Sequence, residues 1–331
     1  MSAAPRGVRA GASPRVSVMI PAHNRAGVLG RAIRSVLAQP VADLELIVVD
    51  DGSTDGTAEV ATALADPRLR LVRLPGQRGV AAARNAAIAA AAGTTLAFLD
   101  SDDEWAPEKL ERQLACLEAL PGRDRAVVTS RYTRYNDLTG RLAPPERPMP
   151  AGEPFGCIVA GSAPLPSTAV LPRSTLEAAG PFDEDLPALA DYEFWLRLAD
   201  ASTRFVELRE PLVVKHEHGT RQISSDPDLL LTAFVRLDRK WGARIQERCG
   251  NAAYRRWRSR LLASIQYVRV RQSVARGDRL AAWRHCAVLG SHAGRSPAYV
   301  VYGIGLATLG LRAYDALARL KDAARRGSRA T

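Results

Sequence analysis

The sequence has few of the features that build disulfide scaffolds, zinc sites or membrane spans. Its four cysteines lie far apart and form no CxxC pair, which argues against a disulfide framework and fits a reducing compartment. No stretch reaches the roughly 18 uninterrupted apolar residues of a spanning helix, and the longest, residues 298–311, stops at Arg312. Residues 1–14 lack the apolar run of a signal peptide and are predicted to be a disordered tail. We expect a cytoplasmic globular protein.

Acidic residues are scarce in only one part of the chain. Residues 1–233 hold 25 Lys/Arg and 30 Asp/Glu, whereas residues 234–331 hold 21 and 5, so the net charge of +11 comes from the last third. This split predicts two regions with different roles. An anionic membrane surface fits the basic region better than nucleic acid, because no recognised nucleic-acid motif accompanies the charge. Scattered arginines on a solvated helical face are the simpler alternative.

Short apolar runs alternate with helix-length segments in the first hundred residues. The runs cover residues 16–20, 44–50, 69–74 and 95–100. Buried strands with helical crossovers are typical of an α/β protein with a mostly parallel, doubly wound sheet. Such a sheet places its ligand crevice at the carboxyl ends of the strands.

The second half of the chain is less regular. A helix is predicted near 107–120, a strand near 125–135 and an amphipathic helix from about Leu189. The Pro- and Gly-rich segment 139–166 is predicted to be a long loop. From about Asp226 onward the pattern is helical. The predicted division is a tail (1–14), a nucleotide-binding α/β domain (15–225) and a basic α-helical C-terminal region (226–331).

Polar clusters follow three of the predicted strands: "PAHNR", "DDGSTD" and "DSDDEW". In the last cluster Asp100, Asp102 and Asp103 would repel one another if nothing compensated their charge. A divalent cation held jointly with a diphosphate would compensate it, since Mg²⁺ at such sites binds one or two carboxylates plus phosphate oxygens. A solvated loop that caps the next helix is the alternative.

Five motifs, in order, resemble the family 2 inverting glycosyltransferases. They are "VSVMIPAHNR", "IVVDDGSTDGT", "GVAAARNAAI", "FLDSDD" and "ADYEFWLRL", and the resemblance covers about residues 15–220. It implies a GT-A fold, a Rossmann-like sheet, here followed by a helical C-terminal region. It also implies transfer of a sugar from a nucleotide-sugar to an acceptor, with inversion and with Mn²⁺ or Mg²⁺ on the diphosphate.

The resemblance assigns donor-binding roles to eight residues. Asp51 would accept the N3–H of the base, which selects uracil or thymine over cytosine and favours a UDP-sugar. Arg84 would bind the diphosphate as a bidentate ligand. For three of these residues a structural role is the alternative to donor binding: an N-cap for Asn24, an Asx-turn for Asp51 and a solvated position for Arg84. The full predicted set is Pro21, Ala22, Asn24, Asp51, Arg84, Asp100, Ser101 and Asp102.

The same resemblance predicts the metal ligands and the catalytic base. Asp102 and Asp103 would hold the metal, and His218 fits the metal shell better than His216, although an edge-strand His without a ligand is the alternative. Asp191 matches the general base, but Ala190 stands where the family has Glu. The alternative for Asp191 is a surface carboxylate paired with Arg197.

These assignments predict a metal-dependent, inverting glycosyltransferase that acts on a hydroxyl of a saccharide or lipid-linked acceptor, peripheral on the inner face of the cell membrane. A nucleotidyltransferase is one alternative, although the loop after the first strand lacks the Gly-rich, Lys- or Arg-bearing pattern of that class. A non-catalytic nucleotide-sugar-binding module is the other. A dehydrogenase is excluded because no GxGxxG follows the first strand.

Overall fold

A computed structural model describes residues 14–137, 139–145, 148–150, 152–217 and 226–292, together with residues 304, 307 and 308. The contacts divide the chain into two compact units. One unit comprises Met1–Leu186 and Ala190–Thr220, and the other comprises Pro187–Leu189 and Arg221–Thr331.

The first half of the larger unit is a regular parallel sheet with helical crossovers. Its strands are β1 (Val16–Ala22), β2 (Leu44–Asp50), β3 (Leu69–Arg73) and β4 (Thr95–Phe98). The connecting helices are α1 (Ala26–Leu37), α2 (Thr57–Thr62) and α3 (Val80–Ala90). The order β3-β2-β1-β4 is parallel throughout. The order reverses at β1, so the crevice between β1 and β4 lies where a doubly wound sheet binds ligands.

The second half of the larger unit makes the sheet mixed. Its strands are β5 (Glu104–Trp105), β6 (Ala126–Asn136), β7 (Arg141–Leu142), β8 (Val170–Pro172) and β9 (Arg204–Glu217). Its helices are α4 (Lys109–Ala119), α5 (Pro154–Val159), α6 (Arg173–Ala179) and α7 (Ala190–Asp200). Strand β8 runs antiparallel to β4 and β6, whereas β6 and β9 are parallel. Within the described residues the sheet has nine strands, in the order β3-β2-β1-β4-β8-β6-β9-β5 with β7 against β6.

Burial explains why the sheet forms where the apolar runs predict it. Every residue of β1 is buried, and β2 is buried except at Glu45. Helix α1 covers them with Leu29, Ala32, Ile33 and Val36, which recur at the spacing of one helical face. The predicted α/β class is therefore confirmed.

The predicted long loop at 139–166 is wrong in its described part. It contains β7, the helix α5 and the start of a 3-10 turn at Pro166–Thr168. Glu153 caps α5, because its carboxylate accepts hydrogen bonds from the backbone N–H groups of Phe155 and Gly156 at 3.1 and 2.8 Å. Pro154 stands at the first helical position, which suits its fixed φ. Phe155 and Ile158 are fully buried, so the helix packs into the core.

The smaller unit is helical in its described residues, as predicted for the C-terminal region. Helix α8 (Pro227–Ala275) is interrupted at Gly250, whose φ of 81° breaks the helical geometry, and α9 (Arg279–His292) follows it. Asp226 caps α8 by accepting from the backbone N–H groups of Asp228 and Leu229. No helix within the described ranges has both the length and the apolar content to cross a bilayer. Of the apolar run 298–311, only residues 304, 307 and 308 are described.

Candidate active site

The loops after β1 and β2 are joined by hydrogen bonds at the carboxyl edge of the sheet. The backbone N–H of Asn24 donates to Oγ of Ser53 at 2.9 Å, and Oδ1 of Asn24 accepts from the backbone N–H of Thr54 at 2.9 Å. Asn24 lies in the left-handed region at φ 51°, which asparagine tolerates. The N-cap of α1 is Arg25, without a side-chain cap, so the capping alternative for Asn24 is wrong. Asn24 instead ties the two predicted donor loops together.

Asp51 is buried and anchors the segment that leads into α3. Its Oδ1 accepts from the backbone N–H of Arg78 at 2.7 Å, and its Oδ2 accepts from that of Gly79 at 2.8 Å. Each carboxylate oxygen has a second lone pair, so acceptor capacity remains for a base. In the same loop, Oδ1 of Asp50 accepts from the backbone N–H of Ser53, three residues further on, at 3.0 Å. The base contact of Asp51 stays a prediction.

The DDGS turn requires glycine at position 52. Gly52 has a φ of 65°, and a Cβ added there would lie 2.5 Å from the backbone carbon of Gly76. No other residue allows this approach of two backbone segments. The turn therefore packs directly against the chain that precedes α3.

Arg84 is buried and holds the loop after β4. Its side chain is 4% exposed, and Nη2 donates to Oδ1 of Asp100 at 2.8 Å. The guanidinium lies 5.4 Å from the ring centre of Phe182, and its Nε has no hydrogen-bond partner in the described structure. The solvated alternative for Arg84 is therefore wrong. A guanidinium fixed at the mouth of this crevice suits a diphosphate ligand.

Ser167, which the sequence analysis did not identify, links the backbone of Asp100 to the carboxylate of Asp103 in the DSDD loop. Its Oγ accepts from the backbone N–H of Asp100 at 3.1 Å and donates to Oδ2 of Asp103 at 2.5 Å. Ser101 and Asp103 are buried, and Asp102 is half-buried. The loop is therefore fixed from beneath, and Asp102 is more exposed than Asp103.

The electrostatics of the loop show an excess of negative charge. Burial raises the pKa of Asp100, opposed by the attraction of Arg84, while repulsion from Asp102 and Asp191 adds to the rise. Burial also raises the pKa of Asp103 well above its usual range, and repulsion from Asp100 and Asp102 raises it further. Because Asp191 acts on Asp100, the two carboxylates belong to one site although they lie 91 positions apart in the sequence.

Lys215 on β9 is a second site residue that the sequence analysis missed. Burial alone would lower the pKa of Lys215, but the negative charge of Asp103, together with that of Asp100 and Asp102, outweighs burial and raises the pKa. Lys215 is therefore a charged ammonium facing the DSDD loop. The signal in the sequence was a lone lysine at the end of an apolar strand, "LVVK".

Asp191 lies in the first turn of α7 and is half-buried. Its Oδ1 accepts from the backbone N–H of Tyr192 at 2.9 Å. Arg197 pairs with Glu193 instead, at 3.0 Å, so the predicted alternative of an Asp191–Arg197 pair is wrong. Glu193 is fully buried in that pair.

The metal prediction considered two histidines, His218 and His216. His218 lies outside the described residues. His216 is buried, and Nδ1 lies 2.8 Å from Oδ1 of Asp137. Strand β9 pairs with both β6 and β5, so His216 does not lie on an edge strand. Within the described residues, no group of three His, Cys, Asp or Glu side chains is arranged to hold a metal without other ligands.

Comparison with known proteins identifies the family. A family model for glycosyl transferase family 2 matches residues 17–156. A putative colanic acid biosynthesis glycosyl transferase of Escherichia coli (strain K12) is 31% identical over 222 residues, which cover 65% of this chain and 77% of that protein. The UDP-Glc:alpha-D-GlcNAc-diphosphoundecaprenol beta-1,3-glucosyltransferase of Escherichia coli is 31% identical over 192 residues, which cover 55% and 69%. The chain belongs to glycosyl transferase family 2.

Another relative matches over a shorter stretch. The succinoglycan biosynthesis protein ExoO of Rhizobium meliloti (strain 1021) is 44% identical over 106 residues, which cover 32% of this chain and 30% of that protein. The chain therefore matches less than a third of the length of this relative.

Solved structures confirm the fold. S. aureus TarS 1–349 in complex with UDP-GlcNAc superimposes with a TM-score of 0.55 at 17% identity, over 89% of this chain and 92% of that one. Mannosyltransferase PcManGT from Pyrobaculum calidifontis, in complex with GDP-Man and Mn²⁺, gives 0.54 at 21% identity over 90% and 88%. The predicted GT-A fold with a helical C-terminal region is therefore confirmed.

Proposed function

We propose that the chain transfers a sugar from a UDP-sugar to a hydroxyl of a saccharide or lipid-linked acceptor, with inversion at the anomeric carbon. Membership of glycosyl transferase family 2 supports sugar transfer. The name of one relative gives UDP-Glc as donor and a diphosphoundecaprenol-linked sugar as acceptor. The catalytic part would be residues 15–225.

The donor would lie across the carboxyl ends of β1, β2 and β4. Pro21, Ala22 and Asn24 would line the nucleoside, and the remaining acceptor capacity of Asp51 would receive the N3–H of uracil. Arg84, already ion-paired with Asp100 at 2.8 Å, would bind the diphosphate beside Asp100 and Ser101. The guanidinium of Arg84 also lies 5.4 Å from the ring centre of Phe182, and this contact would limit how far the guanidinium can move.

The loop fits a divalent metal, Mn²⁺ or Mg²⁺. Burial and mutual repulsion raise the pKa of Asp100 and Asp103, so a cation would relieve negative charge that Arg84 and Lys215 compensate only in part. Asp102 and Asp103 would be its ligands, with His218 as a further one, and the diphosphate would complete the shell, as is usual for Mg²⁺ sites. When bound, the metal would stabilise the negative charge on the leaving UDP.

Asp191 would act as the general base. A base in an inverting transferase must stand near the acceptor hydroxyl, on the side of the sugar opposite the leaving group. The observation that carries this proposal is the half-buried position of Asp191 in the first turn of α7, close enough to Asp100 for its charge to raise the pKa of that carboxyl. This position supports Asp191 as a carboxylate at the donor site. Its neighbour Arg197 pairs with Glu193 instead. Asp191 would take the acceptor proton as the new glycosidic bond forms.

A donor screen tests the proposal. UDP-sugars, dTDP-sugars and GDP-sugars are compared by calorimetry with Mn²⁺ and with EDTA, and the anomeric configuration of the product is determined by NMR. We expect binding of a UDP-sugar only with the metal, and a product of inverted configuration. Equal binding in EDTA would overturn the metal role of Asp102 and Asp103, and a retained configuration would overturn the role of Asp191. Binding without any turnover would indicate a non-catalytic module.

We also propose that the basic region 226–331 binds an anionic membrane surface. Support comes from the exposed face of α9, where Leu280 and Trp283 are 64% and 44% exposed. Arg279 and Arg284 lie beside them, and α9 contains no Asp or Glu. Apolar side chains that enter the interface, flanked by arginines that meet anionic headgroups, are typical of helices lying on a membrane.

A further inference from the structure

A polar cluster around the buried His216 lies beside the DSDD loop, outside the predicted donor and metal sites. It consists of Arg31 on α1, Asp137 after β6, His216 on β9 and Glu104 on β5. Successive side chains of a strand point to opposite faces, so His216 and Lys215 lie on different faces of β9. Lys215 faces the carboxylates, whereas His216 faces this second cluster.

The cluster is a chain of contacts that ends on the loop. Nδ1 of His216 donates to Oδ1 of Asp137 at 2.8 Å, because a carboxylate only accepts. The same Oδ1 lies 3.7 Å from Nη1 of Arg31. Nη2 of Arg31 then donates to the backbone carbonyl oxygen of Asp102 at 3.2 Å. Three elements distant in sequence thus converge on the carbonyl of the residue expected to bind the metal.

The surroundings keep these side chains in place. His216 is 5% exposed, and its ring packs against that of Tyr135 with centres 5.3 Å apart. Nε2 of His216 lies 3.5 Å from Oε2 of Glu104 without a hydrogen bond, and Nε of Arg31 is buried without a partner in the described residues. The imidazole of His216 is enclosed by protein, and its Nδ1 is bonded to Asp137.

We infer that Arg31, Asp137 and His216 are positioning residues that fix the backbone of the DSDD loop and so set its affinity for the metal–diphosphate complex. The inference rests on the proposed function. The residues act through Asp102 and touch neither donor nor acceptor. Outer-shell partners of metal ligands typically contribute about 10- to 100-fold to metal affinity, since they remove the freedom of the ligands to leave the binding geometry.

The chain offers a matched control in Arg68. Like Arg31, Arg68 pairs with an aspartate, Asp66, at 2.9 Å, and donates to a backbone carbonyl, that of Leu37, at 2.9 Å. The Asp66–Arg68 pair lies just before β3, at the opposite edge of the sheet from the DSDD loop. Arg68→Gln therefore removes a bond to a backbone carbonyl and a pair with aspartate, the pair being closer than the 3.7 Å of Arg31 and Asp137, without touching the site.

The test has one readout that needs no ligand and one that does. Hydrogen–deuterium exchange of the peptide covering residues 99–105 is measured in the metal-free full chain. Loss of a hydrogen bond from a charged donor should speed exchange there roughly tenfold in Arg31→Gln, and Arg68→Gln should leave it unchanged. Unchanged exchange in Arg31→Gln, or an equal rise in Arg68→Gln, would overturn the inference.

The second readout is the Mn²⁺ concentration that gives half-maximal stabilisation by UDP. We expect Arg31→Gln to raise it by about tenfold or more, Arg31→Lys to recover part of the loss, and Arg68→Gln to match the wild type. His216→Asn retains a donor near the position of Nδ1 and should bind better than His216→Leu. A wild-type midpoint in Arg31→Gln would overturn the inference, whereas a wild-type chain that binds no UDP with Mn²⁺ would overturn the proposed function.

Discussion

Replacing Asp103 with asparagine should stabilise the metal-free protein. Asp103 is 2% exposed, and burial together with repulsion from Asp100 and Asp102 raises its pKa well above the usual range. Asparagine removes the charge yet can still accept the hydrogen bond from Ser167. Removing such a functional liability typically adds about 0.5–2 kcal/mol to the free energy of unfolding. In a domain of this size that gain corresponds to roughly 2–4 °C in Tm per kcal/mol.

The pH dependence of stability provides a separate test of whether Asp103→Asn stabilises the protein. A carboxyl whose folded pKa is raised binds its proton more tightly in the folded state than in the unfolded state. The stability that it contributes is therefore lost as the pH rises from the unfolded pKa of about 3.9 towards the raised folded value. Asp103→Asn does not titrate, so its advantage over the wild type should grow with pH across this window and vanish below it.

The assay is urea unfolding in EDTA between pH 4 and pH 8, with Asp50→Asn as the matched control. Asp50 is as buried as Asp103, but it accepts from the backbone N–H of Ser53 and lies 3.4 Å from Nε of Arg73. Its charge is compensated, so Asp50→Asn should not stabilise the protein. With UDP and Mn²⁺ at about 100 times the dissociation constant, the wild type should gain roughly 2.7 kcal/mol, and Asp103→Asn should gain less. An Asp103→Asn protein less stable than the wild type in EDTA at pH 8 would refute the reasoning.

Two further predictions concern charge and the membrane. Arg84→Met should lower the free energy of unfolding, by less than the about 3–5 kcal/mol typical of a fully buried pair, because it leaves the carboxylate of Asp100, which is 29% exposed, without its partner. In urea unfolding, the double variant with Asp100→Asn should recover part of the loss, and additive costs would contradict the pairing. Trp283→Ser should weaken binding to phosphatidylglycerol vesicles in sedimentation, and salt should weaken wild-type binding because exposed charges are screened within about 8 Å at physiological ionic strength. The control is Leu142→Ser, which changes an apolar side chain that is 55% exposed in the larger unit. An equal loss of vesicle binding in the two variants, or wild-type binding that does not respond to salt, would contradict the membrane proposal.

The parallel half of the sheet could be predicted because its signals are local. The apolar runs fix β1 and β2 almost to the residue, and the polar clusters that follow them lie at one edge by the geometry of parallel strands. The charge of Asp191 raises the pKa of Asp100, whereas the roles of both residues stay predictions. The position of Arg84 was not readable from the sequence in the same way. Helix α3 consists mostly of alanine, so no contrast between apolar and polar faces shows which side is buried.

The features that the sequence analysis missed depend on distant contacts or on short signals. Ser167 meets Asp103 across 64 positions, and no local pattern marks a serine for that contact. Lys215 comes near the loop because of the register of β9 beside β6 and β5, which is a long-range feature. Helix α5 is short. Its signal in the sequence was the capping residue Glu153 followed by Pro154, and the surrounding prolines and glycines obscured this signal.

The most direct test of the central claim compares donor affinity with turnover in Asp191→Asn. Asparagine keeps the size and the hydrogen bond to Tyr192 but cannot take the acceptor proton. UDP affinity with Mn²⁺ is measured by calorimetry, and transfer is measured as UDP release in the presence of acceptor, with Asp185→Asn as the control. We expect transfer to fall by about 10²- to 10⁴-fold while UDP affinity stays at the wild-type value. Transfer at the wild-type rate, or a loss of UDP affinity of the same size, would contradict the assignment of Asp191 as the base.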